Sequence, residues 1–277
     1  MIDINFSKMH GLGNDFVVID AINQAISLNA EQIRFIADRH FGVGCDQLLL
    51  VEKPVKDNAD FKYRIFNADG GEVAQCGNGA RCFARFVRDK KLSDKDEIVV
   101  DTDAGQLILR FDAEGMITVN MGIPRHQPAQ IPLAMPEEAK LYRAELARST
   151  VEFAAVSMGN PHAVIRVDDI ATAPVEAVGA EMERHPLFSE RANIGFMQIV
   201  DRGYIRLRVY ERGAAETMAC GSGACAAVVV GIDQALLDQD VRVSLPGGDL
   251  KVNWLGRGYP VFMTGPAIMV YEGQISL

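Results

Sequence analysis

The chain repeats one motif around two of its cysteines. Residues 69–80 (DGGEVAQCGNGA) and 213–224 (GAAETMACGSGA) align without a gap at an offset of 144 positions, the difference between Cys76 and Cys220. The aligned motifs share a glutamate four residues before the cysteine and the Cys-Gly-x-Gly sequence itself. A self-match of this kind predicts a chain built from two similar halves.

The segments that flank the cysteines follow the same order in both halves, with offsets of 144 to 146 positions. Residues 62–66 (KYRIF) and 206–210 (RLRVY) both alternate polar and apolar side chains, which is the pattern of a half-buried strand. Gly-Asn pairs at 13–14 and 159–160 each precede an apolar run. Each half is therefore predicted to contain a Gly-Asn turn, strands, a cysteine loop, a helix and a further pair of strands.

The predicted halves are residues 1–120 with 266–277, and residues 121–265. Between the two sets of repeat motifs lies a segment with prolines at positions 124, 128, 132 and 136, which predicts an irregular connection. We expect this connection to lead into a short helix near residues 137–148.

Composition excludes several classes of protein. A net charge of −9 disfavours nucleic acid as a partner, because phosphate binding needs a basic surface. The longest apolar run, residues 224–232, is too short to span a bilayer, and no targeting segment is recognised, so a cytoplasmic protein is expected. Five cysteines without a CxxC pair do not predict a disulfide framework or a zinc site.

Each repeat cysteine lies at a predicted junction of strand and helix. Residues 80–92 and 224–237 follow the two motifs, and the second segment is apolar enough to be buried at the centre of its half. A helix N-terminus favours thiolate, so we expect the pKa of each cysteine to be lowered. The glycines would let a carboxylate approach the backbone N–H groups of the loop.

The other three cysteines lack an equivalent cysteine in the other half, which distinguishes them from Cys76 and Cys220. A single Cys-Gly-x-Gly motif more often marks a buried, inert cysteine, whereas two copies at equivalent positions favour chemistry. Cys82 aligns with Ala226 and Cys225 aligns with Arg81, so we interpret both cysteines as packing residues. Cys45 is undecided, with a structural role favoured.

Two equivalent thiols suit a reaction that is itself nearly symmetric. A disulfide exchange enzyme usually carries CxxC, and a thiol hydrolase needs one cysteine with a histidine. Removing a proton from one face of a carbon and returning one to the other face needs one thiolate as base and one thiol as acid. Two helix N-termini would stabilise the carbanion that develops beside a carboxylate. We therefore predict that Cys76 and Cys220 form an acid/base pair.

Seven motifs along the chain carry a family resemblance. They are residues 9–16 (MHGLGNDF), 42–47 (GVGCDQ), 67–70 (NADG), 74–81 (AQCGNGAR), 158–162 (MGNPH), Asn193 and residues 211–225 (ERGAAETMACGSGAC). In this order they resemble the diaminopimelate epimerase family over essentially the whole chain. Two positions depart from the family pattern: Ala215 stands where glycine is common, and Ser222 where threonine is common.

The resemblance implies an isomerase that needs neither pyridoxal phosphate nor another cofactor nor a metal. It would interconvert LL- and meso-2,6-diaminoheptanedioate, in the synthesis of lysine and peptidoglycan precursors. The implied fold is α+β, with two pseudo-symmetric domains, each a mixed β-sheet curled around a central helix, and an active site in the cleft between them. The last strand would return to the first half. Family members are commonly homodimers, and Tyr271 resembles an interface residue.

The resemblance also implies a role for each matching residue. Cys76 and Cys220 would be the catalytic acid and base, and His162 and Glu211 would support catalysis by tuning the cysteines or the substrate amino group. The implied substrate-binding residues are Asn14, Gln47, Asn67, Gly77, Asn78, Asn160, Asn193, Glu211, Arg212, Gly221 and Ser222.

Judged by residue type alone, several of these positions have simpler interpretations. Asn14 and Asn160 lie in Gly-Asn turns, where asparagine is common for conformational reasons. Gln47 could be a solvated strand end, and His162 a buried polar residue with its hydrogen bonds satisfied. Arg212 has independent support, because it stands at a strand end near the second cysteine and a dicarboxylate substrate needs a bidentate cationic partner.

Three other functions remain open from the sequence. A proline racemase or hydroxyproline epimerase would share the paired cysteines but would not recognise a second amino-acid group. The presence of Asn67, Asn193 and Arg212 favours such recognition and therefore disfavours this alternative. A non-catalytic amino-acid-binding protein is disfavoured by retention of both cysteines, and a redox or metal protein has little support. We also expect oxidation to link Cys76 to Cys220, since thiols that flank one carbon must lie close together.

Overall fold

The computed structural model describes residues 3–73, 76–103 and 105–277, so two residues of the first cysteine motif, Ala74 and Gln75, lie outside the described residues. The chain divides into two compact units, Met1–Asn120 with Thr264–Leu277, and Met121–Met263. Within the described residues four α-helices accompany eighteen strands, which confirms the predicted α+β class. No helix in this part of the chain is long and apolar enough to cross a membrane.

The first unit contains eight strands and two helices before the chain leaves it. They are β1 (Asp3–Gly11), β2 (Asn14–Asp20), α1 (Ala30–Ala37), β3 (Gln47–Glu52), β4 (Phe61–Asn67), β5 (Glu72–Val73), α2 (Gly77–Asp89), β6 (Glu97–Thr102), β7 (Gly105–Phe111) and β8 (Ile117–Asn120). Strands β2 and β3 are parallel, as are β4 and β6, whereas β1–β2, β3–β4 and β6–β7 are antiparallel. The sheet is therefore mixed.

The second unit repeats this order after one additional strand, β9 (Tyr142–Glu145). After a 3-10 turn at Pro128–Gln130 it contains β9 (Tyr142–Glu145), β10 (Thr150–Ser157), β11 (Pro161–Arg166), α3 (Val175–Glu183), β12 (Asn193–Asp201), β13 (Tyr204–Glu211), β14 (Ala215–Glu216), α4 (Gly221–Asp233), β15 (Asp240–Leu245), β16 (Gly248–Trp254) and β17 (Val261–Gly265). The parallel pairs are again β11–β12 and β13–β15, in the places of β2–β3 and β4–β6. The last strand, β18 (Ile268–Ser276), pairs antiparallel with β1.

One ion pair recurs at the repeat offset. In the first unit Arg64 of β4 holds Glu72 of β5 through two hydrogen bonds of 2.7 and 2.9 Å. In the second unit Arg208 holds Glu216 through two hydrogen bonds of 2.6 and 2.7 Å. Two parallel N–H···O bonds fix the guanidinium and the carboxylate in one geometry. Each pair therefore braces the hairpin that leads to a cysteine loop.

Both central helices are packed into their own units as the sequence predicts. In α4 every residue from Gly223 to Gly231 is buried, in keeping with its apolar sequence. In α2 the buried set includes Phe83, Phe86 and Val87, together with Arg81, whose side chain is fully buried. Each helix is followed shortly by a residue with positive φ, Lys91 at 56° and Ala235 at 60°. A left-handed residue at this point ends a helix.

The prediction of a short helix near residues 137–148 is wrong: all of these residues are described by the structure, and none of them is helical. Residues Tyr142–Glu145 instead form β9, which pairs antiparallel with β10. Tyr142 and Ala144 are buried and alternate with exposed neighbours, and the Tyr142 ring packs 5.7 Å from the ring of Phe153. Burial of these alternate side chains against β10 outweighs the helix propensity of the surrounding Glu, Ala, Lys and Leu residues.

Candidate active site

Cys76 occupies the N-cap position of α2 in the first unit. Its backbone is extended, with φ −145° and ψ 124°, and its side chain is partly exposed. Gly77 and Asn78 form the first turn of the helix, so their backbone N–H groups lie at its positive end. The sulfur lies 3.9 Å from the side-chain oxygen of Asn14, at the start of β2. This contact joins the cysteine loop to the Gly-Asn turn of the same unit.

Asn14 and Asn78 are hydrogen-bonded to each other in the same corner of the unit. Asn78 Nδ2 donates to Asn14 Oδ1 at 3.1 Å, and the side chain of Arg81 donates to Asn78 Oδ1 at 3.0 Å. The buried Arg81 also donates from Nε to the carbonyl oxygen of Pro266 at 3.1 Å. Three polar side chains around Cys76 are thus connected within the first unit.

Gln47 and Asn67 form a second polar pair in the first unit. They stand opposite each other at the ends of β3 and β4, and Gln47 Nε2 donates to Asn67 Oδ1 at 2.9 Å. Both side chains are partly exposed. The structure therefore places these two predicted substrate-binding residues side by side.

A charged network lies behind Asn14. Arg39 makes hydrogen bonds of 2.8 to 3.0 Å with Asp15 and Asp46, and Lys8 pairs with Asp15 at 2.6 Å. Burial of Asp15 opposes its ionisation, but the hydrogen bonds from Arg39 and Lys8 outweigh burial and hold its pKa well below the usual range. Asp15 is therefore ionised, and its ion pairs with Lys8 and Arg39 fix the turn that carries Asn14.

A close approach between α2 and the sheet requires Gly79. A Cβ at this position would lie 2.7 Å from the hydroxyl oxygen of Tyr63 and 3.3 Å from side-chain carbons of Ile65 and Phe16. The Tyr63 hydroxyl in turn lies 3.4 Å from the carbonyl oxygen of Cys76, to which it donates. The second glycine of the motif thus sets how closely the cysteine loop sits on the sheet.

Cys220 occupies the matching N-cap position of α4 in the second unit, with φ −114° and ψ 105°. Its side chain is 3 % exposed and lies 3.7 Å from the Ser222 hydroxyl. The sequence predicts a lowered pKa here, and that prediction is wrong for Cys220. Burial and the nearby Glu211 carboxylate raise its pKa well above the usual value, and they outweigh the opposing hydrogen bonds from Ser222 and the Gly223 backbone.

Asn160 and His162 lie on the β10–β11 hairpin of the second unit. Asn160 Nδ2 donates to the Ser222 hydroxyl at 3.4 Å, and the His162 Nε2 atom lies 3.0 Å from Asn160 Oδ1. His162 is 1 % exposed, and burial together with the charge of Arg212 lowers its pKa to about 3. The imidazole is therefore neutral near pH 7 and donates one hydrogen bond to Asn160.

Asn193 and Arg212 are connected by a hydrogen bond between a side chain and the backbone. The Asn193 side chain accepts a 3.0 Å hydrogen bond from the Arg212 backbone N–H and donates to the Pro161 carbonyl at 3.2 Å. The exposed guanidinium of Arg212 donates to the carbonyl oxygen of Glu190 at 3.0 Å. Buried Asn193 therefore holds the turn that presents Arg212 to solvent, where an anionic group can reach it.

The carboxylate of Glu211 is fixed by Thr217, whose hydroxyl donates to it at 2.5 Å. Ala215, in the same turn, adopts φ +59°, a left-handed conformation that favours glycine. The departure from the family pattern at this position is therefore accommodated at a cost in backbone strain.

The other cysteines are buried, as expected for packing residues. Cys82 and Cys225 are fully buried and Cys45 is 2 % exposed. Burial raises the pKa of Cys82 to about 12 and that of Cys45 to about 11, so neither thiol ionises near pH 7. In the described part of the chain no group of three His, Cys, Asp or Glu side chains is arranged to hold a metal ion.

The structure therefore brings the predicted residues into one cluster in each unit. The first cluster holds Cys76, Gly77, Asn14 and Asn78, with Gln47 and Asn67 paired nearby, and the second holds Cys220, Gly221, Ser222, Asn160, His162, Asn193, Glu211 and Arg212. Tyr271 lies apart on β18, 46 % exposed, with its ring edge-on to Phe6.

Sequence reasoning missed the charged residues behind Asn14 and Asn78. Asp46 lies in the motif at residues 42–47, and Arg81 ends the motif at residues 74–81. The available signal was the break in the repeat at Arg81, where the second half has a cysteine. A fully buried arginine is rare unless its donors are paired, and its buried position was not visible in the sequence.

Comparison with known proteins finds related sequences along most of the chain. The family model described as "Diaminopimelate epimerase" matches residues 6–127 and 154–270. A diaminopimelate epimerase from Azoarcus sp. (strain BH72) is 59 % identical over 274 residues, which cover 99 % of each chain.

Solved structures share the fold at low identity. A hydroxyproline epimerase from Agrobacterium vitis superposes with a TM-score of 0.71 at 15 % identity, covering 99 % of this chain and 93 % of that chain. A phenazine biosynthesis protein of the PhzF family from Bacillus anthracis gives a TM-score of 0.70 at 17 % identity, with both chains fully covered. Because the family model matches most of this chain and the Azoarcus epimerase is 59 % identical to it, the chain belongs to the diaminopimelate epimerase family.

Proposed function

We propose that this protein epimerises LL-2,6-diaminoheptanedioate to the meso isomer, without a cofactor, in the synthesis of lysine and peptidoglycan precursors. The observation that carries the proposal is the placement of Cys76 and Cys220 at the N-termini of equivalent helices, each followed by Gly-x-Gly. Its support from relatives is the extensive identity to a diaminopimelate epimerase. As an isomerase of this kind it would work in the cytoplasm.

The proposed reaction moves one proton off and one proton onto the same α-carbon. One cysteine, as thiolate, removes the α-proton from one face, and the other, as thiol, donates a proton to the opposite face. After turnover the two sulfurs have exchanged protonation states, and the reverse reaction uses them in the opposite roles. The raised pKa of Cys220 favours its thiol form in the unliganded protein.

The loop amides supply the electrostatic part of this proposal. The α-carboxylate would accept hydrogen bonds from the backbone N–H groups of Gly77, Asn78, Gly221 and Ser222, which lie at helix N-termini. These donors also stabilise the negative charge that spreads onto the carboxylate as the α-proton leaves. Neutral His162 and the Glu211 carboxylate would tune the second cysteine and the substrate amino group.

Recognition of the distal amino-acid group is assigned to polar side chains at strand ends. The pair Gln47 and Asn67, the Asn14 and Asn160 side chains and the turn of Asn193 and Arg212 offer amide and guanidinium groups. A guanidinium binds a carboxylate through two parallel hydrogen bonds, which suits the second carboxylate of the substrate. This recognition distinguishes the proposed substrate from proline.

The decisive experiment is incubation of the purified protein with LL-2,6-diaminoheptanedioate in D₂O without added cofactor. We expect formation of the meso isomer with one deuterium at the inverted α-carbon. L-Proline and trans-4-hydroxy-L-proline in parallel reactions should remain unchanged. Turnover of proline alone would overturn the substrate assignment, and ligand binding without hydrogen exchange would indicate a binding protein.

We further propose that the protein is a homodimer and that the exposed apolar side chains of β18 lie in the dimer interface. Ile268, Val270 and Tyr271 are 48, 53 and 46 % exposed, an unusual density of apolar side chains for a strand facing solvent. Sedimentation equilibrium should give twice the mass of the chain, and Val270→Lys should shift the equilibrium towards monomer. A monomeric wild-type protein at micromolar concentration would refute this assignment.

A further inference from the structure

Asn14 is held between an acidic side chain and the first cysteine. Its Nδ2 donates to Asp46 Oδ2 at 2.9 Å, and its Oδ1 faces Asn78 Nδ2 at 3.1 Å and Cys76 Sγ at 3.9 Å. An amide has one donor end and one acceptor end, whereas an ionised carboxylate only accepts. The Asp46 carboxylate therefore requires the nitrogen end of Asn14, which leaves the oxygen end facing the cysteine.

The same argument fixes Asn78 from the opposite side. Arg81 donates to Asn78 Oδ1 at 3.0 Å, and a guanidinium cannot accept a hydrogen bond. The nitrogen end of Asn78 must therefore face Asn14. The hydrogen bonds run from Arg81 through Asn78 and Asn14 to Asp46. Because Arg81 can only donate and Asp46 can only accept, all of them point in one direction.

Asp46 is itself held in place. Its Oδ1 accepts a 2.8 Å hydrogen bond from Arg39, and its Oδ2 accepts a 3.0 Å hydrogen bond from the backbone N–H of Asp15 in addition to the bond from Asn14. Two fixed donors leave the carboxylate little freedom to rotate. It can therefore orient Asn14 and does not simply follow it.

The second unit has the opposite arrangement at the equivalent asparagine. Asn160 turns its Nδ2 towards the cysteine loop, donating to the Ser222 hydroxyl, and its Oδ1 faces His162. When Asn14 is aligned with Asn160, Asp46 aligns with Ala192, which is buried. The two units thus present opposite ends of an amide to their cysteine loops, and Asp46 occurs only in the first.

We propose that Asp46 and Arg81 are positioning residues that direct the hydrogen bonds of Asn14 and Asn78, so that Asn14 presents an acceptor to the Cys76 thiol. This assignment rests on the proposed role of Cys76 as an acid/base residue. An acceptor at this point stabilises the protonated thiol, whereas the reversed amide would stabilise the thiolate. Asp46 therefore sets the proton affinity of Cys76 without touching it.

Two other titratable groups of the first unit, Tyr63 and Cys82, interact with Cys76 and keep one protonation state near neutral pH. Tyr63 on β4 contacts the Cys76 carbonyl, and Cys82 lies six residues further along the chain, in α2. Burial raises the pKa of Tyr63 well above its usual value and that of Cys82 to about 12, so both remain protonated. Arg81 remains a cation, and Lys8, Asp15 and Arg39 form the ion pairs behind Asp46.

The test measures how alkylation of Cys76 depends on pH. In the Cys220→Ala protein the remaining cysteines other than Cys76 are at most 2 % exposed, so iodoacetamide reports on Cys76, and peptide mass spectrometry verifies the site. We expect Asp46→Ala in this background to lower the midpoint of the profile by about one pH unit. A shift of this size corresponds to the loss of about one hydrogen bond to the thiol form.

The matched control is Asp46→Asn. Its side-chain oxygen can still accept from Asn14 and from the Asp15 backbone, whereas its nitrogen replaces the oxygen that accepts from Arg39, and the negative charge is gone. We expect it to shift the midpoint by less than half as much as Asp46→Ala. Equal shifts in the two variants would mean that only the charge matters, and an unchanged midpoint in Asp46→Ala would also overturn the proposal.

A second measurement covers the case in which Asp46→Ala does not fold. In ¹⁵N-edited spectra of the otherwise unchanged Cys220→Ala protein, the Asn14 side-chain N–H₂ protons should show stronger NOE cross-peaks to the β-protons of Asp46 than to those of Cys76. Stronger cross-peaks to Cys76 would contradict the orientation. Neither measurement requires turnover, so failure of the proposed epimerisation would be seen separately in the D₂O reaction.

Discussion

The Cys220 thiol lies beside the Glu211 carboxylate, and burial together with this carboxylate raises the pKa of Cys220. The cysteine is at a helix N-terminus, where the peptide dipoles favour thiolate. Removing a 3 % exposed thiolate from water and placing it beside a carboxylate costs more than the dipoles return. A substrate ammonium group near Glu211 would reduce this cost and make Cys220 a better base when substrate is bound.

Replacing Glu211 by Gln should therefore lower the pKa of Cys220. The neutral amide removes the repulsion between carboxylate and thiolate, while burial, the larger cause of the shift, remains. In a Cys76→Ala background the pH midpoint of Cys220 ionisation, followed through its ¹³Cβ NMR signal, should fall by about one pH unit or more. Glu216→Gln is the matched control, because it removes a carboxylate from the same hairpin that is paired with Arg208. An equal shift in both variants would rule out a specific effect of Glu211.

Loss of either repeat cysteine should abolish epimerisation. Cys76→Ala and Cys220→Ala each remove one of the two proton-transfer groups, and a positioned acid or base contributes a factor of about 10² to 10⁴ in rate. Cys82→Ala, which removes a fully buried thiol with a pKa raised by burial, should keep most of the activity. The measurement is turnover of LL-2,6-diaminoheptanedioate, and appreciable activity in Cys220→Ala would contradict the two-base mechanism.

The sequence was sufficient for features that depend on local pattern. The alternation at residues 62–66 and 206–210 and the apolar run after Cys220 predicted β4, β13 and α4, because side-chain periodicity reports directly on burial. The strand β9 was not predictable in the same way. Its four residues become a strand only because β10 offers a partner and a place for Tyr142 against Phe153.

The candidate residues were also accessible from the sequence, but their electrostatics were not. The repeat singled out both cysteines, yet the pKa of Cys220 depends on Glu211, which the fold brings into contact with it. The direction of the Asn14 amide depends on Asp46, thirty-two positions away along the chain. Contacts of this kind are set by strand pairing and cannot be read from a local pattern.

Acid should destabilise the protein through His162. Its pKa of about 3 in the fold is below the usual 6.5, so between these values the unfolded chain binds a proton that the folded protein does not. The free energy of unfolding should therefore fall as the pH is lowered from 6.5, by about 1.4 kcal/mol per pH unit for this group. Urea denaturation at pH 7 and pH 5 measures the effect.

The matched variants are His162→Gln and His126→Gln. Glutamine cannot titrate, so His162→Gln should lose this part of the acid sensitivity even if its stability at pH 7 is lower. His126 also has a lowered pKa, because of burial, but its ring lies beside Asp233 at 3.2 Å, which opposes the shift. Its replacement should change the pH dependence less. A larger effect of His126→Gln would contradict the assignment to His162.

The strained turn at Ala215 should be relieved by glycine. Ala215 has φ +59°, which costs a residue with a Cβ about 1 kcal/mol or more, whereas glycine adopts it freely. Glycine also gains entropy in the unfolded chain, so the net stabilisation by Ala215→Gly should be about 0.5 kcal/mol. The neighbouring Ala214, which is exposed and has no positive φ, is the control, and Ala214→Gly should destabilise slightly. Urea midpoints that change in the same direction for both variants would exclude relief of strain.

Gly79→Ala should destabilise the first unit and disturb the cysteine loop. The new Cβ would lie 2.7 Å from the Tyr63 hydroxyl oxygen, with side-chain carbons of Ile65 and Phe16 at 3.3 Å. Tyr63 is fully buried and its ring cannot swing aside, so the helix must move away from the sheet. Overpacking of this kind costs about 1–3 kcal/mol.

The contact with the hydroxyl can be tested by removing it. In Tyr63→Phe the nearest atom disappears, and the remaining contacts at 3.3 Å need shifts of only a few tenths of an ångström. Gly79→Ala combined with Tyr63→Phe should therefore be more stable than Gly79→Ala alone, although Tyr63→Phe alone loses a hydrogen bond to the Cys76 carbonyl. A double-mutant cycle of urea unfolding should give a coupling of about 1 kcal/mol that favours the double variant. Simple additivity would show that the close approach at Gly79 is relieved elsewhere, and turnover measured in the same four proteins would show whether the loop geometry matters for activity.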